Sequence, residues 1–261
     1  MEEKNPIQVA DRLFHVLELL ADQGPMQLMD IAAEEELNKT TAFRVLRSLM
    51  HLGYVRQDPS DGRYSLTFRI VGLADKVREQ TDMIGFLHPY LEELSGQIRE
   101  TIHLVMLEES FSPDTDTEAT YVDKVESPYN AVRMVSRVGG RIPLYCSGVG
   151  KALLADMSDD QIRRIWDNSD IKKITEYTIT DPAELIKVIG QVREKGYALD
   201  NEENEIGVRC VAAALPPIPG RGRFAFSISA PAARMDDERI REVAGSLLRI
   251  RDRITQELRI G

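Results

Sequence analysis

The stretch LNKTTAFRVLRSLMHLGYVRQDPSDGRYSL, Leu37 to Leu66, constrains the fold more tightly than any other part of the chain. It opens on Asn38, whose side chain can accept a hydrogen bond from an otherwise unpaired first-turn amide, so a helix is expected to start there. Ala42, Val45, Leu46 and Leu49 then recur at the spacing of one helix face. Gly53 falls just past the end, where a left-handed cap is often needed. Beyond it, Tyr54-Val55-Arg56 and Arg63-Tyr64-Ser65-Leu66 read as two short strands. The Asp58-Pro59-Ser60-Asp61-Gly62 segment between them supplies turn chemistry, and its Asp-Gly favours a tight hairpin. Upstream, Leu13, Val16, Leu17 and Leu20 mark an amphipathic helix over residues 6–22, stopped by Gly24-Pro25. A shorter helix over Leu28–Glu35 follows, with Leu28, Ile31 and Ala32 inward. Three helices and a hairpin in this order make a winged helix-turn-helix.

Charge singles out the same stretch. The chain carries a formal net charge of -10, yet residues 37–78 hold eight basic side chains against three acidic ones. Residues 1–36 hold two against nine. A basic run is often no more than a solvated face. Here the face of the third helix opposite its apolar stripe shows Lys39, Thr40, Thr41, Arg44, Arg47 and Ser48. Small hydroxyl side chains let the first turn approach a surface, and its amides can meet a phosphate. Arg44 and Arg47, one turn apart, reach base edges or phosphates from one side. Arg56 and Arg63 make the hairpin a basic wing. Phe43, at the edge of the face, either packs inward or touches a thymine methyl; both readings stay open. The surface is that of a protein that binds double-stranded DNA.

The chain also resembles a known family, the IclR-type bacterial transcriptional regulators. The likeness is carried by LNKTTAFRVLRSL with LGYVRQDPSDGRYSL, then YVDKVES, RIPLYCSGVGKALLA, GYALDNEENEIGVRCVAAAL and FAFSISAP. It implies an α+β chain: a winged helix-turn-helix domain over 5–70, a linker helix over 71–86, and a GAF-like effector-binding domain with a mainly antiparallel sheet over 87–261. It implies a dimer or tetramer, with the wing and linker helping to form the dimer. Such dimers read palindromic operators whose half-sites lie about one helical turn apart, or a multiple of that.

The residues after Phe68 fit that layout. FRIVGLADKVREQTDM reads as the connecting helix, and Pro89 to Glu100 as a separate helix with Leu91, Leu94 and Ile98 inward. Thr101–Leu107, Tyr121–Val125, Ala131–Ser136 and Phe224–Ser229 read as strands. Helices are expected over Gly150–Ala155, Asp159–Trp166, Asp181–Lys195 and Asp236–Leu258. Residues 110–120 look like an acidic insertion in a hairpin, read as a surface loop.

RIPLYCSGVGKA, Arg141 to Ala152, reads as a loop running into a helix. Gly148 and Gly150 would let backbone amides turn inward at a helix start, where an anion is favoured. A carboxylate is the natural guest. The spacing is not that of a nucleotide-binding P-loop, because Tyr145 stands where the first glycine belongs. The resemblance places the effector loop on Ser147, Gly148 and Val149, and further pocket groups on Asp200, Cys210, Ser227 and Ser229. Serines would donate to carboxylate or keto oxygens and Asp200 would accept from a ligand hydroxyl. Ser227 and Ser229 share one strand face. Met134 is either an apolar wall of that pocket or ordinary core.

Other classes have less behind them. His15, His51, His88 and His103 are scattered without metal-ligand spacing, and no GxSxG elbow is present, so no enzyme, metal or cofactor is expected. Cys210 reads as a small buried hydrophobe or a pocket residue. A redox-responsive DNA binder using Cys146 and Cys210 is the alternative, although neither sits in a CxxC. No run of about 18 apolar residues exists, so no membrane partner is expected. The acidic opening MEEKNPIQVADR lacks a signal core, which points to the cytoplasm. The acid's identity, the operator and the direction of control are not written in these residues.

Overall fold

Helix α1 (Gln8–Gln23) ends where Gly24 turns the backbone into positive φ, a conformation glycine adopts without strain. The computed structural model describes residues 7–80, 82–107, 118–127, 136–217 and 222–260. They fall in two units, Met1–Thr81 and Asp82–Gly261.

In the first unit α2 (Leu28–Glu34) and α3 (Lys39–His51) follow α1, then β1 (Val55–Gln57), β2 (Tyr64–Leu66) and α4 (Arg69–Gln80). Val16 and Leu20 of α1, Ile31 of α2, Val45, Leu46 and Leu49 of α3, and Val55 and Tyr64 of the hairpin share one buried cluster. The α3 cap forms as expected, with Asn38 Oδ1 accepting from the Thr41 amide at 2.9 Å. At its other end the Gly53 amide donates to Met50 O and the Tyr54 amide to Leu49 O, the paired bonds of a Schellman cap. The wing departs from expectation. Gln57 pairs with Tyr64, so six residues, 58–63, form the loop in place of a tight Asp-Gly turn. The Asp58 carboxylate accepts from the amide and hydroxyl of Ser60, the Gly62 amide donates to Asp58 O, and Gln27 of the α1–α2 connection donates to Asp61 O. The bonds of Asp58 lie within the loop, and the Gln27 bond ties it from outside to the α1–α2 connection.

The second unit begins with α5 (Asp82–Ile98), which starts before Pro89 and carries it inside the helix. Burial of Met83 and Leu87 explains the early start: packing of the first turns outweighs the proline's preference for a helix end. Then come β3 (Thr101–Leu107), β4 (Glu118–Val125), β5 (Arg141–Pro143), α6 (Gly148–Leu154), α7 (Asp159–Asn168), α8 (Pro182–Lys195), β6 (Ala198–Asn201), β7 (Val208–Ala214), β8 (Arg223–Pro231) and α9 (Asp237–Ile260). The expected strand over 131–136, Met134 with it, and most of the 110–120 insertion lie outside the described residues.

The six strands form an antiparallel sheet in the order β5-β4-β3-β8-β7-β6. Side chains alternate between its faces. Ile102, Leu104, Phe224, Phe226, Ile228, Val211 and Ala213 pack in one cluster with α5 and α9. Val105, Ala212 and Ala225 pack in the other with α6, α7 and α8. The α+β reading stands, with a wholly antiparallel sheet among the described strands. It is this second face that also carries polar side chains.

Candidate functional site

The first candidate is the outer face of α3. Lys39, Thr40, Arg44, Arg47 and Ser48 are exposed and Thr41 half-buried, while the inward stripe of the same helix is fully buried. Phe43 is 45% exposed, so it lies on the outer face and not in the core. Among the described residues no carboxylate lies within ion-pair distance of Lys39, Arg44 or Arg47. On the wing Arg56 and Arg63 are exposed. Arg56 Nε donates to Ser65 Oγ across the hairpin at 3.2 Å, and Arg63 lies 3.7 Å from Asp61. The helix thus presents unpaired cations and the wing partly engaged ones.

The second candidate is a cavity of about 50 Å³ on the α6 side of the sheet, room for a few waters or a small ligand. Strand register builds it. Asp200 of β6 lies opposite Cys210 of β7, Cys210 opposite Ser229 of β8, and Ser229 opposite Thr101 of β3. One step along, Ser227 lies opposite His103. Ser147, Gly148, Val149, Asp200, Cys210, Ser227 and Ser229, drawn from separate stretches of sequence, all line this one space.

The loop into α6 works differently from its reading as an open glycine cradle. A Cβ on Gly150 would lie 2.4 Å from the Leu144 backbone, so this glycine serves close packing of the chain on itself. Its amide is taken by Ser147 Oγ at 3.0 Å, and the same hydroxyl donates to Pro143 O at 2.6 Å. Ser147 therefore acts as the helix cap. Gly148 does face the site: a Cβ there would stand 3.4 Å from the Asp200 amide nitrogen and from Ala212 Cβ.

Several lining residues were not anticipated, among them His103, Tyr121, Ser136, Asn204 and Glu205. His103 is buried between two hydroxyls, Ser229 Oγ at 3.1 Å from Nδ1 and Ser136 Oγ at 2.6 Å from Nε2. Desolvation pushes its pKa down to about 3, so the ring is neutral. Its ring lies tilted against that of Tyr121, with centroids 5.3 Å apart, and burial pushes the Tyr121 phenol pKa up. A lone polar residue in the apolar run Ile102–Leu107 was the signal available for His103. Ser136 offered none.

Asp200 is 4% exposed, and its Oδ1 accepts from the amides of Glu203 at 2.8 Å and Asn204 at 3.4 Å. Burial, only partly offset by Lys151, raises its pKa to about 7. Behind it Lys151 of α6 is completely buried and ion-paired with Glu203. Thr178 Oγ1 donates to Glu203 O and Thr175 Oγ1 to Glu202 O, tying down the loop after β6. Cys146 and Cys210 are free thiols. Burial pushes Cys146 up to about 12 and Cys210 higher still, so neither has the thiolate character of a reactive cysteine. That removes support from the redox alternative. Among the described residues no group of His, Cys, Asp and Glu is placed to hold a metal, and no helix is long and apolar enough to cross a membrane.

A helix-turn-helix unit with an exposed basic face on α3, followed in sequence by an α+β unit with a small polar cavity, defines a two-unit class of DNA-binding protein. The family model for the IclR helix-turn-helix domain matches residues 9–59, and that for the C-terminal domain of bacterial IclR transcriptional regulators matches residues 76–256. The chain belongs to the IclR family of bacterial transcriptional regulators. It is similar to the HTH-type transcriptional regulator KdgR of Escherichia coli K12, 35% identical over 252 residues covering 94% of this chain and 91% of that one. The transcriptional repressor IclR of the same organism is 28% identical over 95% of this chain and 89% of its own length. The crystal structure of Thermotoga maritima IclR superposes with a TM-score of 0.79 at 27% identity, covering 95% of this chain and 98% of that one. These relatives are named as regulators, not as enzymes.

Proposed function

We propose that this chain is a repressor whose operator affinity is set by a small carboxylic acid, a keto or sugar acid, bound in the cavity of the second unit. One observation carries the reading: seven positions expected to hold an effector, scattered from residue 147 to residue 229, line a single small polar space. In this reading residues 5–70 read DNA, 71–86 link, and 87–261 sense the acid. Arg44 and Arg47 read base edges or phosphates of a palindromic operator, with Lys39, Thr40, Thr41 and Phe43 beside them and Arg56 and Arg63 on the wing. The protein works as a dimer or tetramer in the cytoplasm. The exposure of Phe68, Val71 and Leu73, at and just before the turns of α4, supports self-association through the linker.

The acid can act only through unequal affinity for the DNA-bound and free conformations, with a coupling of about 1–3 kcal/mol. The test is a titration of the protein on DNA upstream of its own gene and its neighbours, at fixed salt, with and without keto, hydroxy and sugar acids. Specific binding shifted by one acid supports the reading. Specific binding indifferent to every acid but shifted by oxidant would return the cysteines to consideration. No binding beyond that to bulk competitor DNA would remove α3 as the reading surface.

A further inference from the structure

Among the described residues the charge around the cavity does not complement an ionised acid. Its acidic lining residues are Asp200 and the exposed Glu205, and among the described residues the lining holds no lysine or arginine. The groups around Asp200 come from every described element packed on it. From α6 comes Lys151, already committed to Glu203 of the loop after β6. From β7 and from the turn before α6 come the neutral thiols of Cys210 and Cys146, from β4 the protonated phenol of Tyr121, and from β3 the neutral ring of His103. Lys124, opposite His103 in register, pairs with Glu126. A carboxylate entering this space would meet Asp200 with no described cation free to sit between them, and two negative charges that close in a desolvated site do not both persist.

We propose that Asp200 takes up one proton from solvent when the cavity admits a carboxylate, so that the acid is held by a hydrogen bond from a carboxylic acid and not by an ion pair. The ligand remains an anion, the proton adds to Asp200, and no other bond changes. The geometry assigns the oxygens: Oδ1 is occupied by the amides of Glu203 and Asn204, which leaves Oδ2 to carry the proton and donate. Burial has already raised this carboxyl to about 7, so the protonated form is accessible near neutrality. The inference rests on the acid-site reading above and makes effector response depend on pH.

Calorimetry of the full-length protein with pyruvate, lactate and gluconate at pH 8, in two buffers of different ionisation heat, counts the protons directly. The expected result is uptake of close to one proton per bound acid, and a Kd that rises about tenfold for each pH unit above 7. The neutral pyruvamide and lactamide should take up none. Asp200→Asn should bind the acid with a Kd nearly flat from pH 6 to 9. Acid binding without proton uptake in the wild-type protein overturns the proposal and leaves the acid site standing. Uptake that persists in Asp200→Asn overturns it too, by assigning the proton to another group. If none of the acids binds, the acid-site reading fails and this inference with it.

Discussion

On α3, Lys39, Arg44 and Arg47 stand outside with no carboxylate of the described residues beside them, whereas on α6 Lys151 is completely buried and held by Glu203. Both helices start at a polar cap, Asn38 on one and Ser147 on the other. The difference lies in what surrounds them. An exposed cation keeps its hydration until a polyanion arrives, and its attraction reaches about 8 Å at physiological salt. A buried one has lost hydration on folding and must be matched inside the protein. The same contrast separates the exposed basic face of α3 from a cavity whose histidine, tyrosine and thiols are kept neutral.

The contrast is broken most severely at Lys151. Lys151→Met leaves Glu203 buried without its partner, on a carboxylate whose Oε2 already lacks a hydrogen bond. A loss of about 3–5 kcal/mol in urea unfolding is expected, largely restored by adding Glu203→Leu. An exposed ion pair would lose no more than ~1 kcal/mol, and a loss that small would mean the pair is hydrated.

On the outer side, Arg44→Ala should weaken specific operator binding by about 1–3 kcal/mol with little effect on folding. Titration against operator and competitor DNA separates the roles. An unchanged specificity ratio would make Arg44 a phosphate contact, and the salt slope would then fall by roughly one.

His103 sharpens the comparison through pH. Its folded pKa, about 3, lies below the unfolded value near 6.5, so as pH falls below 6.5 the unfolded chain binds a proton that the folded one refuses. Stability present above pH 6.5 is therefore lost toward pH 3, by about 2 kcal/mol at pH 5. Unfolding of wild type and His103→Gln at pH 7 and pH 5 checks this; equal losses in both would place the effect elsewhere. The smallest change is expected at Asn38→Ala, about 1 kcal/mol from the lost α3 cap, read by thermal unfolding of the first unit.

The parts of the fold legible from the chain are those closed by near neighbours. The Asn38 cap spans three residues, the Gly53 cap is made with Leu49 and Met50, and the buried stripe of α3 repeats within the helix itself. Local rules failed where distant packing intervened, at Pro89 inside α5 and in the wing loop held by Gln27. They also passed over β7, whose Ala212 and Ala213 have little strand preference but fit, with Val211, between helices on both faces of the sheet.

The sequence alone determined that a capped basic helix would be followed by a hairpin, and its motifs, through resemblance, pointed to the seven cavity positions. Periodicity, caps and charge are properties of neighbouring residues, and they survive without a third dimension. Only the tertiary structure decided that Ser147 closes a helix, that Gly150 packs against Leu144, and that His103 and Tyr121 join Asp200. Strand register and burial set those outcomes. Burial also fixes which of the gathered groups hold a charge, because desolvation depends on everything folded around them.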